Sequence, residues 1–121
     1  MSHILPLLKE MRGRLGMFIG TPSLSRLAAF LRGYDLAMQK SGSGTDPFLA
    51  NFRDWVHNHL QTTSLSWEDA ILEESSGEAD AVKQFWKLLD KFLRETEKEQ
   101  DLEAKRNGGA VSKIRTTTPS K

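Results

Sequence analysis

The sequence predicts an all-α fold: a compact bundle of four to five helices followed by a disordered C-terminal tail. Three observations predict it. Apolar residues recur at three- and four-residue steps through most of the first 93 residues. Serine, threonine or aspartate stands ahead of these runs, twice with a proline directly behind it. No segment shows the strict alternation of a half-buried strand, and no internal repeat is present.

The opening segment, Ser2 to Met11, carries an apolar stripe of Ile4, Leu5, Leu7, Leu8 and Met11, with Ser2 as its cap. Pro6 is compatible with a helix there because it lies near the first turn. Gly13, Gly16 and Gly20 then punctuate RGRLGMFIG, where Leu15, Met17, Phe18 and Ile19 are expected to be buried in an irregular or short extended connection. Thr21-Pro22 reads as a cap followed by proline at the first helical position. Leu24, Leu27, Ala28, Leu31, Tyr34 and Met38 extend that helix to about Gln39, and SGSG stops it.

Asp46-Pro47 repeats the start signal, and Phe48, Leu49, Phe52, Trp55, Val56, His59 and Leu60 form the clearest amphipathic stripe in the chain. Ser66 caps a short helix over Trp67–Glu74, with Glu68 and Asp69 in its first turn, where they complement the helix dipole. After the SSG break a long helix begins near Glu78, with Ala81, Val82, Phe85, Trp86, Leu88, Leu89, Phe92 and Leu93 inward. The rhythm fades beyond Leu93, and the helix is expected to continue as a solvated rod to about Lys105. NGGAVSKIRTTTPSK has no periodicity and predicts disorder.

At 121 residues the chain is read as one helical domain over 1–102, with a charged tail over 103–121. Without cysteine there is no disulfide framework and no thiolate metal site. The N-terminus lacks the continuous apolar core of a signal peptide and no stretch approaches a membrane span, so a cytoplasmic location is expected. The net charge of +1 is unevenly spread: residues 1–40 carry +4, residues 61–80 carry −6 with no lysine or arginine, and residues 103–121 carry +4.

Catalysis needs a nucleophile, an acid–base pair or a metal, positioned together. His57 and His59 are two apart, which points them to different faces of a helix; His59 is expected to be half-buried on the stripe and His57 exposed. A metal pair on a helix favours a four-residue step, so no metal site is expected. The glycines of GRLGMFIG are not at phosphate-loop spacing and suit a packed turn. Glu68–Asp69 and Glu73–Glu74 are adjacent pairs that diverge on a helix. The chain is therefore expected to bind rather than catalyse, with no cofactor.

Asp69 and Glu73 share a face at i, i+4, where like charges cost helix stability. Such a cluster is either an ordinary solvated face or a surface for a cationic partner. Trp55 and Trp86 lie on strongly periodic faces and are expected in the core. Trp67, beside the acids, is expected to be partly exposed and to serve as an interface anchor or as a staple onto the bundle. The candidate partner-binding set is Trp67, Glu68, Asp69, Glu73, Glu74, Glu78 and Asp80. A nucleic-acid-associated or regulatory protein is the second reading, through the basic N-terminal third and tail. Against it, Arg12, Arg14, Arg26, Arg32 and Lys40 form no dense stripe with interleaved aromatics. A dimer built on the 78–102 helix is compatible with either.

RLGMFIG, PSLSRLAAFLRGYDLA, FLANFRDWV, the serine-containing loop into SWEDAIL, and AVKQFWKLLDKFL together resemble a group of small bacterial immunity proteins of contact-dependent inhibition and other polymorphic toxin systems. That family's pattern is R-x-G-M-Y-I-G, a helix ending G-Y-x-x-(A/G), aromatic-x-x-W-V, S-W-x-x-x-I-L and a final F-x-x-L-x-x-x-F. Here Phe18 stands where the pattern has tyrosine, and the resemblance spans about residues 8–94. It implies a protein that binds the C-terminal toxin domain, often a nuclease, delivered by a sibling cell, and blocks its active site or substrate path. Nuclease domains attract phosphate and are commonly basic, so the acidic 61–80 stretch is the complementary surface. No site residue carries over by motif.

Overall fold

The computed structural model describes residues 2–44, 46–62 and 66–111; from Gln100 onward it describes the backbone and the side chains of Leu102, Ala104 and Lys105. Six helices and no strand occur among these residues: α1 (Ile4–Met11), α2 (Gly16–Ile19), α3 (Leu24–Lys40), α4 (Pro47–Leu60), α5 (Trp67–Glu73) and α6 (Glu78–Val111). None is long and apolar enough to cross a membrane. Residues 1–89 form one compact unit, and the remainder of α6 from Asp90 belongs to a second.

The capping chemistry is mostly where the residue types placed it. Ser66 Oγ accepts from Asp69 N at 3.3 Å, and Asp46 Oδ1 accepts from Phe48 N at 2.8 Å with Pro47 at the first position of α4. Ser2 Oγ accepts from Ile4 N and Leu5 N at 3.2 and 3.1 Å. The exception is α3, which Ser23 rather than Thr21 caps: its Oγ accepts from Arg26 N at 3.2 Å, so the helix starts two residues later than Thr21-Pro22 suggests. At the far end of α4, Gln61 takes a left-handed conformation with φ 58 and closes the helix.

The sixth helix is the turn α2, where an irregular or extended connection was expected. Gly20, with φ 86, ends it. Burial there is also less than expected: only Ile19 is buried, Leu15 and Phe18 are half-buried, and Met17 is 78% exposed. A single helical turn cannot point four consecutive side chains inward. At the other end, α6 runs past Lys105 to Val111. Adding residues to a formed helix is far cheaper than nucleating one, which lets it cross the Asn-Gly-Gly segment. The rest of the expected disordered tail, 112–121, lies outside the described residues.

In the first unit the core is built around Phe52 of α4, which is fully buried. Phe48 stacks on it with centroids 5.6 Å apart, while Trp67 of α5 and Phe85 of α6 meet it edge-on at 5.5 and 5.6 Å. Trp67 and Phe85 are in turn 5.6 Å apart. Leu8 and Met11 of α1 and Leu27 and Leu31 of α3 are also fully buried or nearly so. One face each of α1, α3, α4 and α5 is thus removed from water at about 25 cal/mol per Å2 of apolar surface.

Candidate partner-binding face

The buried face of α5 is Trp67, Glu68, Ala70 and Ile71. Trp67 is only 4% exposed and packs on Phe52 and Phe85, so of the two expected roles it is the staple onto the bundle and not a partly exposed anchor. Its spacing to Ala70 and Ile71, i, i+3, i+4, was the sequence signal for this. Glu68 is 9% exposed and receives both arms of the Arg32 guanidinium: Nη1 donates to Oε2 and Nη2 to Oε1, each at 2.6 Å. The same guanidinium lies 6.0 Å above the Trp67 ring. Burial alone pushes the Glu68 carboxyl upward, but the Arg32 fork more than reverses this and holds it below the ordinary carboxylate value. Glu68 therefore ties α5 to α3 instead of facing outward.

Glu68→Ala is expected to cost about 2 kcal/mol, the scale of a lost charge-assisted pair at a largely buried carboxylate. Thermal unfolding of Glu68→Ala, Arg32→Ala and the double variant checks it. A coupling energy near zero in that cycle would refute the tie.

The other candidate acids separate into two groups. Glu78 is exposed but engaged: Oε1 accepts from Ser23 Oγ and Ser25 N, each at 3.0 Å, and Oε2 accepts from Ser25 Oγ at 2.8 Å. It thereby binds the start of α6 to the start of α3, and these bonds, led by the Ser25 amide, hold its carboxyl below the usual value. Asp80 is half-buried and accepts from Ser76 N at 3.0 Å across the α5–α6 turn. Asp69, Glu73 and Glu74 are exposed, and the first two share one face of α5 at i, i+4. These three are the outward carboxylates of the set, carried on a helix anchored beneath by Trp67 and Ile71.

The remaining aromatic and histidine expectations are redistributed. Trp55 and Trp86 are half-buried, not core; Arg12 covers the Trp86 ring at 4.9 Å. His59 is exposed and stacks on Trp55, with centroids 4.8 Å apart and planes 7° apart, while His57 is half-buried. This reverses the burial expected of the two histidines: His59 packs its ring on Trp55 at the surface, and His57 is the more covered of the pair.

Sequence reasoning missed a cluster of His3, Asp35 and Asp46. Their ligand-type atoms lie within 4.8 Å of one another, although 32 to 43 positions separate His3 from its partners. His3 Nε2 is 2.7 Å from Asp35 Oδ1, and Asp46 is 2% exposed. Asp46 Oδ2 already accepts from Ser2 Oγ, His3 N and Ile4 N at 2.9, 2.9 and 2.8 Å. With Phe48 N on Oδ1, one carboxylate satisfies amides at the starts of both α1 and α4. The arrangement acts as a clasp between helix ends, with three donors on Oδ2 and one on Oδ1.

Two concave regions border α4. One, of about 250 Å3, is lined by Arg32, Asp35, Asp46, Leu49, Ala50, Arg53 and Trp67. The other, of about 410 Å3, is a shallow polar hollow formed by Asp54, His57, Asn58, Gln61 and Thr62. Compared with protein-family models, curated proteins and solved structures, the chain matches none.

Proposed function

We propose that this chain is an immunity protein: a cytoplasmic binding protein that neutralises a cognate toxin domain, of nuclease type, delivered by a neighbouring bacterium. The observation that carries the reading is the exposed trio Asp69, Glu73 and Glu74, on a short helix and its C-cap, whose other side is fixed in the core. It lies within a 20-residue stretch bearing six acids and no lysine or arginine. Two of these like charges share a helix face at a cost to stability, and a cationic partner turns that cost into attraction. Mounting the carboxylates on an anchored helix means that little ordering entropy is lost on binding. The resemblance of residues 8–94 to the immunity family supplies the biological role.

The interface differs from the sequence expectation in its composition. Trp67 and Glu68 support it from below, Asp80 holds the α5–α6 turn, Glu78 ties the start of α6 to α3, and Asp69, Glu73 and Glu74 make the contact. The test is affinity for the toxin domain encoded beside this protein. Glu73→Lys/Glu74→Lys is expected to weaken binding at least 100-fold, to slow association and to flatten its salt dependence, with thermal stability unchanged. Unchanged affinity in that folded variant would overturn the assignment.

A further inference from the structure

Between Arg26 and Lys40 the outward face of α3 lacks the polar residues that a solvated helix face carries. Taking the helix at its 100° step, Leu24, Leu27, Ala28 and Leu31 face the core, and Gly33 lies diametrically opposite. Around Gly33 stand Ala29 and Ala37, one turn to each side, with Phe30 and Leu36 flanking them. All of these are exposed except the half-buried Phe30, and Leu36 retains 54% of its surface. Nothing lies within 4 Å of where a Gly33 side chain would project. Phe18 meets Phe30 edge-on at 6.1 Å, which brings α2 and its exposed Met17 beside the same stripe.

The only charges on this face are Arg26 and Lys40, at its two ends; both are exposed, and Arg26 Nη1 also donates to Ile19 O at 3.0 Å, which leaves its other N–H groups for a partner. Asp35, the helix's only acid, is turned aside to His3 and Gln39. The face is thus apolar and small in the middle and cationic at both ends.

We propose that the outer face of α3 is a second docking surface, and that its occupant is an amphipathic helix of another protein with an acidic residue at each end of its apolar stripe. The charges select this occupant. Two copies of the chain packed symmetrically through this face, with Gly33 at the crossing, would bring cations against cations in either orientation. The segment 112–121 carries Lys113, Arg115 and Lys121 with no acid, and is repelled in the same way. An acid-flanked helix instead pairs with Arg26 and Lys40, which fourteen residues separate by about 21 Å, and Gly33 allows its backbone close approach. The basic toxin domain proposed above is not this partner, so the surface is independent of the α5 acids.

Two synthetic 18-residue helical peptides with the same leucine–alanine stripe test it, one carrying glutamates fourteen residues apart at the stripe's ends and the other lysines. Fluorescence anisotropy with the full chain is expected to show at least tenfold tighter binding of the glutamate peptide. Gly33→Gln/Leu36→Gln should abolish that preference while keeping the thermal midpoint, and Ala37→Gln serves as a second, milder variant. Glu73→Lys/Glu74→Lys should leave the peptide affinity unchanged. Equal affinity for both peptides, binding of neither, or undiminished binding by the folded variants would overturn the proposal. So would a dimer in sedimentation that Gly33→Gln/Leu36→Gln dissolves, because a second copy would then be the occupant.

Discussion

Replacing Phe52 with alanine is expected to lower the free energy of unfolding by about 4 kcal/mol, near the upper range for a buried aromatic. The ring is fully buried and contacts Phe48, Trp67 and Phe85, so the space left is walled by side chains of three helices. Those walls are themselves rigid aromatics, which limits collapse into the cavity. Against a typical total of about 5–15 kcal/mol for a domain, the loss is large enough to shift the urea midpoint strongly. Phe52→Leu retains much of the volume and should cost less than half as much. Urea unfolding at pH 7 decides the matter; a loss under about 1.5 kcal/mol for the alanine variant would mean that the core is not organised around this ring.

Asp46→Ala is expected to cost about 3–4 kcal/mol, since it removes the acceptor for two helix starts at once. The amides of His3, Ile4 and Phe48 and the hydroxyl of Ser2 all donate to this one buried carboxylate. An ordinary cap serves one helix; here α4 loses its cap while α1 keeps only the Ser2 hydroxyl, which Asp46 no longer holds in place. Hydrogen exchange should rise in the first turns of both α1 and α4, with α1 retaining the Ser2 Oγ acceptor.

The pH dependence follows from the same carboxylate. Burial pushes the Asp46 pKa upward, but the four donors outweigh it and hold it below the ordinary aspartate value. A carboxylate lowered in the folded state contributes stability that is fully present above its unfolded pKa, near 4, and is lost as pH falls through the folded value. Glu68 and Glu78 are shifted in the same direction, so the acid limb is steep. Stability measured from pH 6 down to pH 2.5 should fall less steeply in Asp46→Asn than in the wild type. A parallel decline would show that Asp46 does not contribute to the acid limb.

The two clasps that hold the helices together, Asp46 and the Arg32–Glu68 fork, were hidden in the sequence for the same reason. Asp46 looked like an ordinary cap for α4, and nothing local indicates that its second oxygen faces a segment more than 40 residues earlier. Glu68 looked like a solvated dipole partner in a first turn, because its cation lies 36 positions away. For Trp67 the acidic neighbours suggest exposure and the spacing to Ala70 and Ile71 suggests burial, and the fold takes the second. The outer face of α3 is the converse case. Its apolar stripe shows in the sequence, but with apolar residues on both sides only the fold reveals which side the core uses.

Local physics therefore determined the helical class, four of the helix starts and the inward direction of most apolar residues, because capping and the 3.6-residue period act over a few positions. Tertiary structure decided which acids face outward, which tryptophan is interior and which face of α3 stays open. Those outcomes depend on how far each neighbouring element reaches and on partners brought together from distant positions, and neither quantity has a local signature in the chain.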